Sequence, residues 1–477
     1  MLVVFGVVLS VITSGINCGY SGSSVEEVFK WKRVIYENLP KSENSWVGPY
    51  RYYIPENQGV NSFGYHPSSG LFIVTMVRFR PGIPTSLGAF CVQENAIGSS
   101  PRIWGFPNYQ INALRDSDFA SGSAEEAARN AWKKPNKYYY SNGSYYANPQ
   151  YLYQEKPSGI NYGDYYDNSP RIISVFHVNV DEHCNRVFFV DNGQLVYYSN
   201  TTYTIQKPAL WVIDLPVNGC ETRNFPIIRR TELPDRIAAK APNGYMHITL
   251  DYQSKNSCDD LFVYIANTFF SYLIVYDYKK DEFWLFDHET FKPVVAESHF
   301  VFEETFKYDM PLGLHNLVLG YPDKEGGRTA YYNDVASTAQ YAVSTKILKN
   351  RRKSPINFNS KDFHIVGYRG CDHEPLKTVI DYTYGVMFNT EVQSNELRCW
   401  NMNKPLNPDN IGVISKSEDY TFPIQAFIDS RGYLWFGSTQ IPILFASDEP
   451  LDLSKFNSII FRVKASDAIR GTVCENL

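Results

Sequence analysis

The sequence predicts an all-β fold, a six-bladed β-propeller with short peripheral helices. Three observations point there. Aromatic residues make up 16% of the 477-residue chain, with 36 Tyr and 30 Phe, and such rings pack well on a pleated surface. Runs of apolar and β-branched residues alternate with Pro/Gly or polar turns along most of the length. Six such units recur about every 40–75 residues once one long gap is set aside, and repeated small sheets of this kind pack radially about a central channel.

The elements follow in order. Residues 2–12, LVVFGVVLSVI, form an uncharged apolar run. At eleven residues it is too short to span a bilayer, which takes about 20. Small residues follow it, so 1–18 reads as a secretory signal peptide, although no Lys or Arg precedes the run. The mature chain, 19–477, reads as one propeller domain, secreted and extracellular. VEEVFKWKRVIYENL, starting at Val25, has a helical pattern. The first unit is GLFIVTMVRF, Gly70 to Phe79, closed by the turn RPGIP. The others are Arg171 to Gly193, His247 to Asp287, Leu317 to Leu348, Lys377 to Asn401 and Ile424 to Ala446. VDEHCNRVFFVDNG and IDSRGYLWFGSTQ share an apolar residue, Asp, a polar turn and an aromatic strand. The long gap, about 112–170, holds a second helical patch, SAEEAARNAWKK, and then a tyrosine-rich tract from Lys137 to Pro170. Its poor aliphatic content marks a solvent-facing insertion rather than a second core.

Charge and cysteine usage narrow the class. A net charge of -5 gives no electrostatic reason for nucleic acid or an anionic membrane as partner. No later segment is long and apolar enough to span a membrane. Eight scattered cysteines without a CxxC pair suggest disulfides, with connectivity left open. Asn142 and Asn200 open N-glycosylation sequons.

Strong catalytic signatures are absent: no GxSxG, HExxH or GxxxxGK[ST] occurs. No cofactor is expected. No metal is expected either, since His183-Cys184 and the CDH at Cys371 to His373 lack a second pair at useful spacing. KNRRK, Lys349 to Lys353, reads as a solvated loop, and Asp259-Asp260 as turn chemistry. In a propeller the place to look is the channel. Polar or aromatic residues inside apolar repeats are the candidates: Arg78, Asp191, Asn333, Phe388, Asn389, Thr390 and Trp400. An aromatic wall with a few convergent polar groups suits a small aromatic amine. Against that stands backbone pairing or packing between blades, the commoner fate of each such residue. With no catalytic constellation visible, a binding protein is expected rather than an enzyme.

These blocks closely resemble the insect Yellow and major royal jelly protein family. The resemblance runs in order from about Trp31 to Cys474, leaving out 112–170. It includes YIPEN at Tyr53, LFIVTMVRFRPGIPTSL at Leu71, SPRIWGFPNY at Ser100, VDEHCNRVFFVDNG at Val180 and IIRRTELP at Ile227. CDDLFVYIAN at Cys258, LIVYD at Leu273, GGRTAYYNDVASTAQYAVSTKIL at Gly326, YRG at Tyr368, CWN at Cys399 and GTVC at Gly471 complete it. The resemblance implies a secreted, glycosylated six-bladed propeller. It implies a role in cuticle pigmentation or the melanin pathway, with a catechol or indole amine in the channel. Its alternatives are a dopachrome-converting, tautomerase-like enzyme, for which Asp191 or Glu391 would be the acid–base group, and a cuticle-matrix protein cross-linked through exposed tyrosines. It also implies a Cys258–Cys399 disulfide. The family's cysteine before the strand KPALWVIDL is Gln206 here, which leaves Cys184 to pair elsewhere, with Cys220 as the expected partner. The extra His183 and the tyrosine insertion are further departures and suggest a divergent Yellow-type member.

Overall fold

The computed structural model describes residues 25–119, 138–141, 144–147, 171–197 and 202–475. The apolar N-terminal run, SAEEAARNAWKK and both sequon asparagines lie outside these residues. Six four-stranded antiparallel sheets form a six-bladed propeller. The innermost strands are Ser62–His66, Val175–Asp181, Tyr245–Tyr252, Leu314–Pro322, Pro375–Asp381 and Pro423–Ile428. Each touches the next around the axis, and the sixth returns to the first. All six repeats read from the sequence are blades.

Closure of the ring corrects one reading. Glu26–Trp31 is a strand, not a helix, and pairs antiparallel with Ser458–Lys464 as the outer strand of the sixth blade. Local helical pattern loses here to a ladder of backbone hydrogen bonds, the usual outcome when tertiary pairing competes with weak propensity. The seam between the sixth and first blades is aromatic. Trp435 lies 5.5 Å from both Tyr65 and Phe72, and Phe72 stacks on Phe90 at 5.1 Å. Inner strands approach closely: a Cβ on Gly64 would stand 2.5 Å from Val180 Cγ2 of the second blade.

Three disulfides staple the architecture: Cys91–Cys220, Cys184–Cys258 and Cys399–Cys474. The expected pairs Cys258–Cys399 and Cys184–Cys220 are therefore corrected. Cys258 belongs to the third blade and Cys399 to the fifth, and the fourth blade lies between them. Cys184 sits in the hairpin of the second blade beside Cys258, with 5.7 Å between Cα atoms. Cys220, on Gly219–Thr222, faces Cys91 of the first blade at 5.8 Å. Two bonds thus join neighbouring blades, and the third fastens the C-terminal segment to the fifth. Among the described residues Cys371 is exposed and outside any disulfide.

Asn112, inside the stretch expected as an insertion, is fully buried, accepts from Leu87 N and donates to Phe106 O. Beyond it, Asp118 and Arg171 form a buried ion pair at 2.8 Å. Residues 118 and 171 therefore lie side by side and flank 119–170, which holds the tyrosine-rich segment. Within that segment, Tyr138–Ser141 pairs antiparallel with Ser144–Ala147. Among the described residues no helix is long and apolar enough to cross a membrane.

Candidate functional site

The third residue of four inner strands is polar and buried: His177, His247, Lys377 and Gln425. In the fourth blade the second residue, His315, takes this place, and in the first blade Ser62 does. In the five strands other than Ser62–His66 the pairing to the second strand slips at or just before the ring residue. Such bulges re-aim side chains and concentrate beside functional sites. Here five of the six ring residues stand at such irregularities, and Ser62 of the first blade completes the set.

The ring converges. The His177 and His247 imidazoles lie 4.5 Å apart between centroids. Gln425 Nε2 meets His177 Nε2 at 3.2 Å across the first blade and donates to Phe63 O at 3.0 Å. His247 Nε2 faces Leu317 O at 3.2 Å, and His315 Nδ1 lies 3.4 Å from the Thr268 hydroxyl. One nitrogen of each imidazole is buried without a hydrogen-bond partner: His177 Nδ1, His247 Nδ1 and His315 Nε2. Buried polar atoms are usually paired, and among the described residues these three ring nitrogens are not.

Electrostatics give these groups their character. Burial pushes all three histidines well below the usual imidazole range, and the Lys377 charge adds to it for each. They are neutral at physiological pH. Burial lowers Lys377 to about 7. No ion pair holds its ammonium among the described residues. The Lys377 amine can give or take a proton near neutrality, the requirement for general acid–base work, and the three neutral imidazoles beside it can donate and accept hydrogen bonds.

An aromatic row borders the ring. Phe176 precedes His177 at the bulge and meets Phe269 at 5.9 Å and Phe79 at 5.5 Å. Phe79 in turn meets Phe445 at 5.7 Å. Phe79, Phe269 and Phe445 are only partly buried. They offer an edge on which a flat ring can stack.

The residues expected from sequence lie behind this ring or farther along the blades. Asn333, Asn389 and Thr390 occupy second strands, opposite Asn316, Thr378 and Lys377. Asn333 Nδ2 donates to Pro375 O at 2.8 Å, Asn389 Oδ1 accepts from Thr378 at 3.1 Å, and Thr390 donates to Lys377 O at 3.4 Å. Arg78 is buried and donates to backbone carbonyls of Ile83, Ile173, Pro84 and Asn112. Phe388 is packed with Phe436 and Phe461 between the fifth and sixth blades. Trp400 packs on Met387 and Leu406 and donates to Lys404 O at 3.0 Å. Asn333, Phe388, Asn389 and Thr390 thus stand on second strands and Trp400 on a third, while Arg78 lies in the loop after the second strand of the first blade.

The two candidate acids stand away from the ring, and each keeps one buried oxygen, Asp191 Oδ2 and Glu391 Oε1, without a hydrogen-bond partner among the described residues. Asp191 Oδ1 accepts from Ile173 N and Ser174 N, and burial raises its carboxyl to about 6. Glu391 Oε2 accepts from Ser394 at 2.8 Å and lies 2.7 Å from His373 Nδ1. His373, Glu391 and Glu396 bring ligand-type atoms within 4.8 Å of one another. Arg398 Nε stands 2.6 Å from Glu396 and 3.5 Å from Glu391, so the protein supplies its own cation there.

One signal for the ring lay in the sequence. His177, His247, Lys377 and Gln425 each stand four residues before the aspartate of their blade's first hairpin: Asp181, Asp251, Asp381 and Asp429. Aligning the repeats on that aspartate brings the four into one column.

With this geometry in view, comparison with known proteins is informative. The model of the family described as major royal jelly protein matches residues 173–474. The chain belongs to the major royal jelly protein family. Among curated members, L-dopachrome tautomerase yellow-f of Drosophila melanogaster is 28% identical over 478 residues, covering 95% of each chain. Yellow-related salivary protein ASP2 of Phlebotomus orientalis is 32% identical, covering 94% of each. Yellow-related salivary protein LJM111 of Lutzomyia longipalpis is 28% identical, covering 95% of each. The family thus includes a protein named as an enzyme and others named for saliva, on one scaffold.

Proposed function

We propose that this protein is secreted and catalyses proton transfer on a small catechol-derived quinone, a tautomerisation of the dopachrome type in the melanin pathway. The observation that carries it is the ring of three neutral histidines around Lys377. Tautomerisation removes a proton from a ring carbon and returns one to a quinone oxygen. It needs a base and an acid in one site; the Lys377 amine, lowered to about 7, can fill either role, and the neutral imidazoles beside it can hydrogen-bond to the quinone oxygen. The phenylalanine row supplies a stacking surface for the flat substrate, and Lys377, when protonated, suits a substrate carboxylate. The relative named L-dopachrome tautomerase supports this reaction class. Secretion is supported by the three disulfides and the salivary names of relatives.

Capture of a catechol or indole amine without turnover is the second reading. The phenylalanine row favours it. The ring of His177, His247, His315, Lys377, Gln425 and Ser62 contains no carboxylate to meet an ammonium, which weighs against it. The test is the decay of dopachrome absorbance with purified protein. The expected result is accelerated decay that falls about 100-fold or more in His247→Gln. Decay unchanged by the wild-type protein would refute catalysis, and calorimetry with dopamine and serotonin then decides between amine capture and neither.

A further inference from the structure

Lys377 is unusual for a lysine in three respects. It is 4% exposed. No carboxylate forms an ion pair with it among the described residues. Its neighbours toward the axis are imidazoles, whose protonation its own charge opposes. A buried ammonium without a counter-ion is strongly disfavoured, so burial lowers the amine to about 7 and a large fraction of it is neutral near pH 7. A desolvated neutral lysine amine is a nucleophile toward carbonyl carbon. Its backbone is fixed, since the Thr390 hydroxyl donates to Lys377 O at 3.4 Å and the strand bulges immediately before it. The surrounding imidazoles can move the protons that imine formation requires.

We propose that Lys377 forms an imine with small aromatic carbonyl compounds that enter past the Phe79, Phe176 and Phe269 row. The Nζ lone pair attacks the carbonyl carbon, and the C=O π pair goes to oxygen, which takes a proton. A neutral imidazole accepts a proton from nitrogen. The carbinolamine then loses its hydroxyl as water on protonation, and C=N forms. One carbonyl and one amine give one imine and one water, with no change of oxidation state. This inference rests on reading the ring as the reactive site, but its readout does not depend on quinone turnover.

The test is reductive trapping on the full wild-type protein. Phenylacetaldehyde with cyanoborohydride at pH 7 converts the imine to a stable phenylethyl secondary amine. Modification blocks tryptic cleavage after Lys377 and yields the peptide Gly370–Arg398 carrying one added group. The expected result is labelling at Lys377 at least about tenfold above exposed lysines such as Lys324 and Lys361. Lys377→Arg should lose that label alone. Labelling of Lys377 no greater than that of the exposed lysines overturns the inference, whether or not the variant folds. Dopachrome decay measured on the same preparation separates the two ideas. Turnover without the adduct sinks the imine only, and the adduct without turnover sinks the tautomerase reading only.

Discussion

The two ends of the inner strands differ sharply in how their polar groups are satisfied. At the hairpin end, each aspartate has hydrogen-bond or ion-pair partners, although Asp251 Oδ1 has no hydrogen bond among the described residues. Asp429 accepts from Arg431 N, Tyr433 N and Trp435 Nε1 at 2.9–3.0 Å. Asp381 accepts from Thr383 N at 2.6 Å, and Asp181 from His183 N and the Tyr252 hydroxyl. Asp251 meets Lys349 at 2.8 Å and Tyr264 at 3.0 Å. Four residues away on the same strands, the ring imidazoles keep unpartnered nitrogens and Lys377 keeps no counter-ion. The hairpin end builds the fold. The ring end gives up stability for reactive groups, which is the usual relation between scaffold and site.

This contrast can be broken experimentally. The largest expected effect is on turnover. His177→Gln, His247→Gln and His315→Gln should each lower dopachrome conversion by about 100-fold or more, whereas Asp429→Ala should leave it within about threefold in the folded protein. Asp429→Ala should instead cost about 3 kcal/mol in denaturant unfolding, because it strips several partners from one buried carboxylate's neighbours.

Lys377→Met should move stability the other way. The folded amine titrates near 7 and the unfolded one near 10.5. Between those values the unfolded chain binds the extra proton, so the lysine's cost grows as pH falls from 10 to 7. The variant should therefore be more stable than wild type by about 3 kcal/mol at pH 8 and about 1 kcal/mol at pH 10. Equal gains at both pH values would show that the amine is not neutral in the fold.

Removing Cys184–Cys258 by paired serine substitution should cost about 2–4 kcal/mol with turnover retained, since the 74-residue separation it spans lies at the hairpin end. The smallest effect is expected from replacing residues 120–170 by a short linker. Residues 118 and 171 already meet across the Asp118–Arg171 pair, so turnover should change less than about threefold.

Six blades were legible because each repeat couples an apolar strand to a hairpin with its own turn chemistry, and that pattern is local. The strand at Glu26–Trp31 was not, because its partner lies more than 400 residues away at Ser458–Lys464. Disulfide pairing failed for a related reason. It depends on which blades are neighbours, and Cys258 and Cys399 are separated by a blade. The ring is hidden in the sequence because polar residues in the most apolar strands, such as Asn389 and Thr390, stand out more strongly. Those sit one strand behind the axis. The ring residues sit at bulges, where strict alternation breaks and periodicity gives no guidance. The spacing of four to the hairpin aspartate was the usable clue, and it needs the blades aligned on one another first.

The central claim is that the ring, not the second strands, holds the chemistry. Its most direct test is dopachrome decay with wild type, His247→Gln and Asn389→Ala measured side by side, with melting temperature as the check on folding. The account predicts acceleration by wild type, loss of about 100-fold or more in His247→Gln, and near-wild-type rate per folded molecule in Asn389→Ala. Acceleration that survives in His247→Gln and disappears in a folded Asn389→Ala would contradict it.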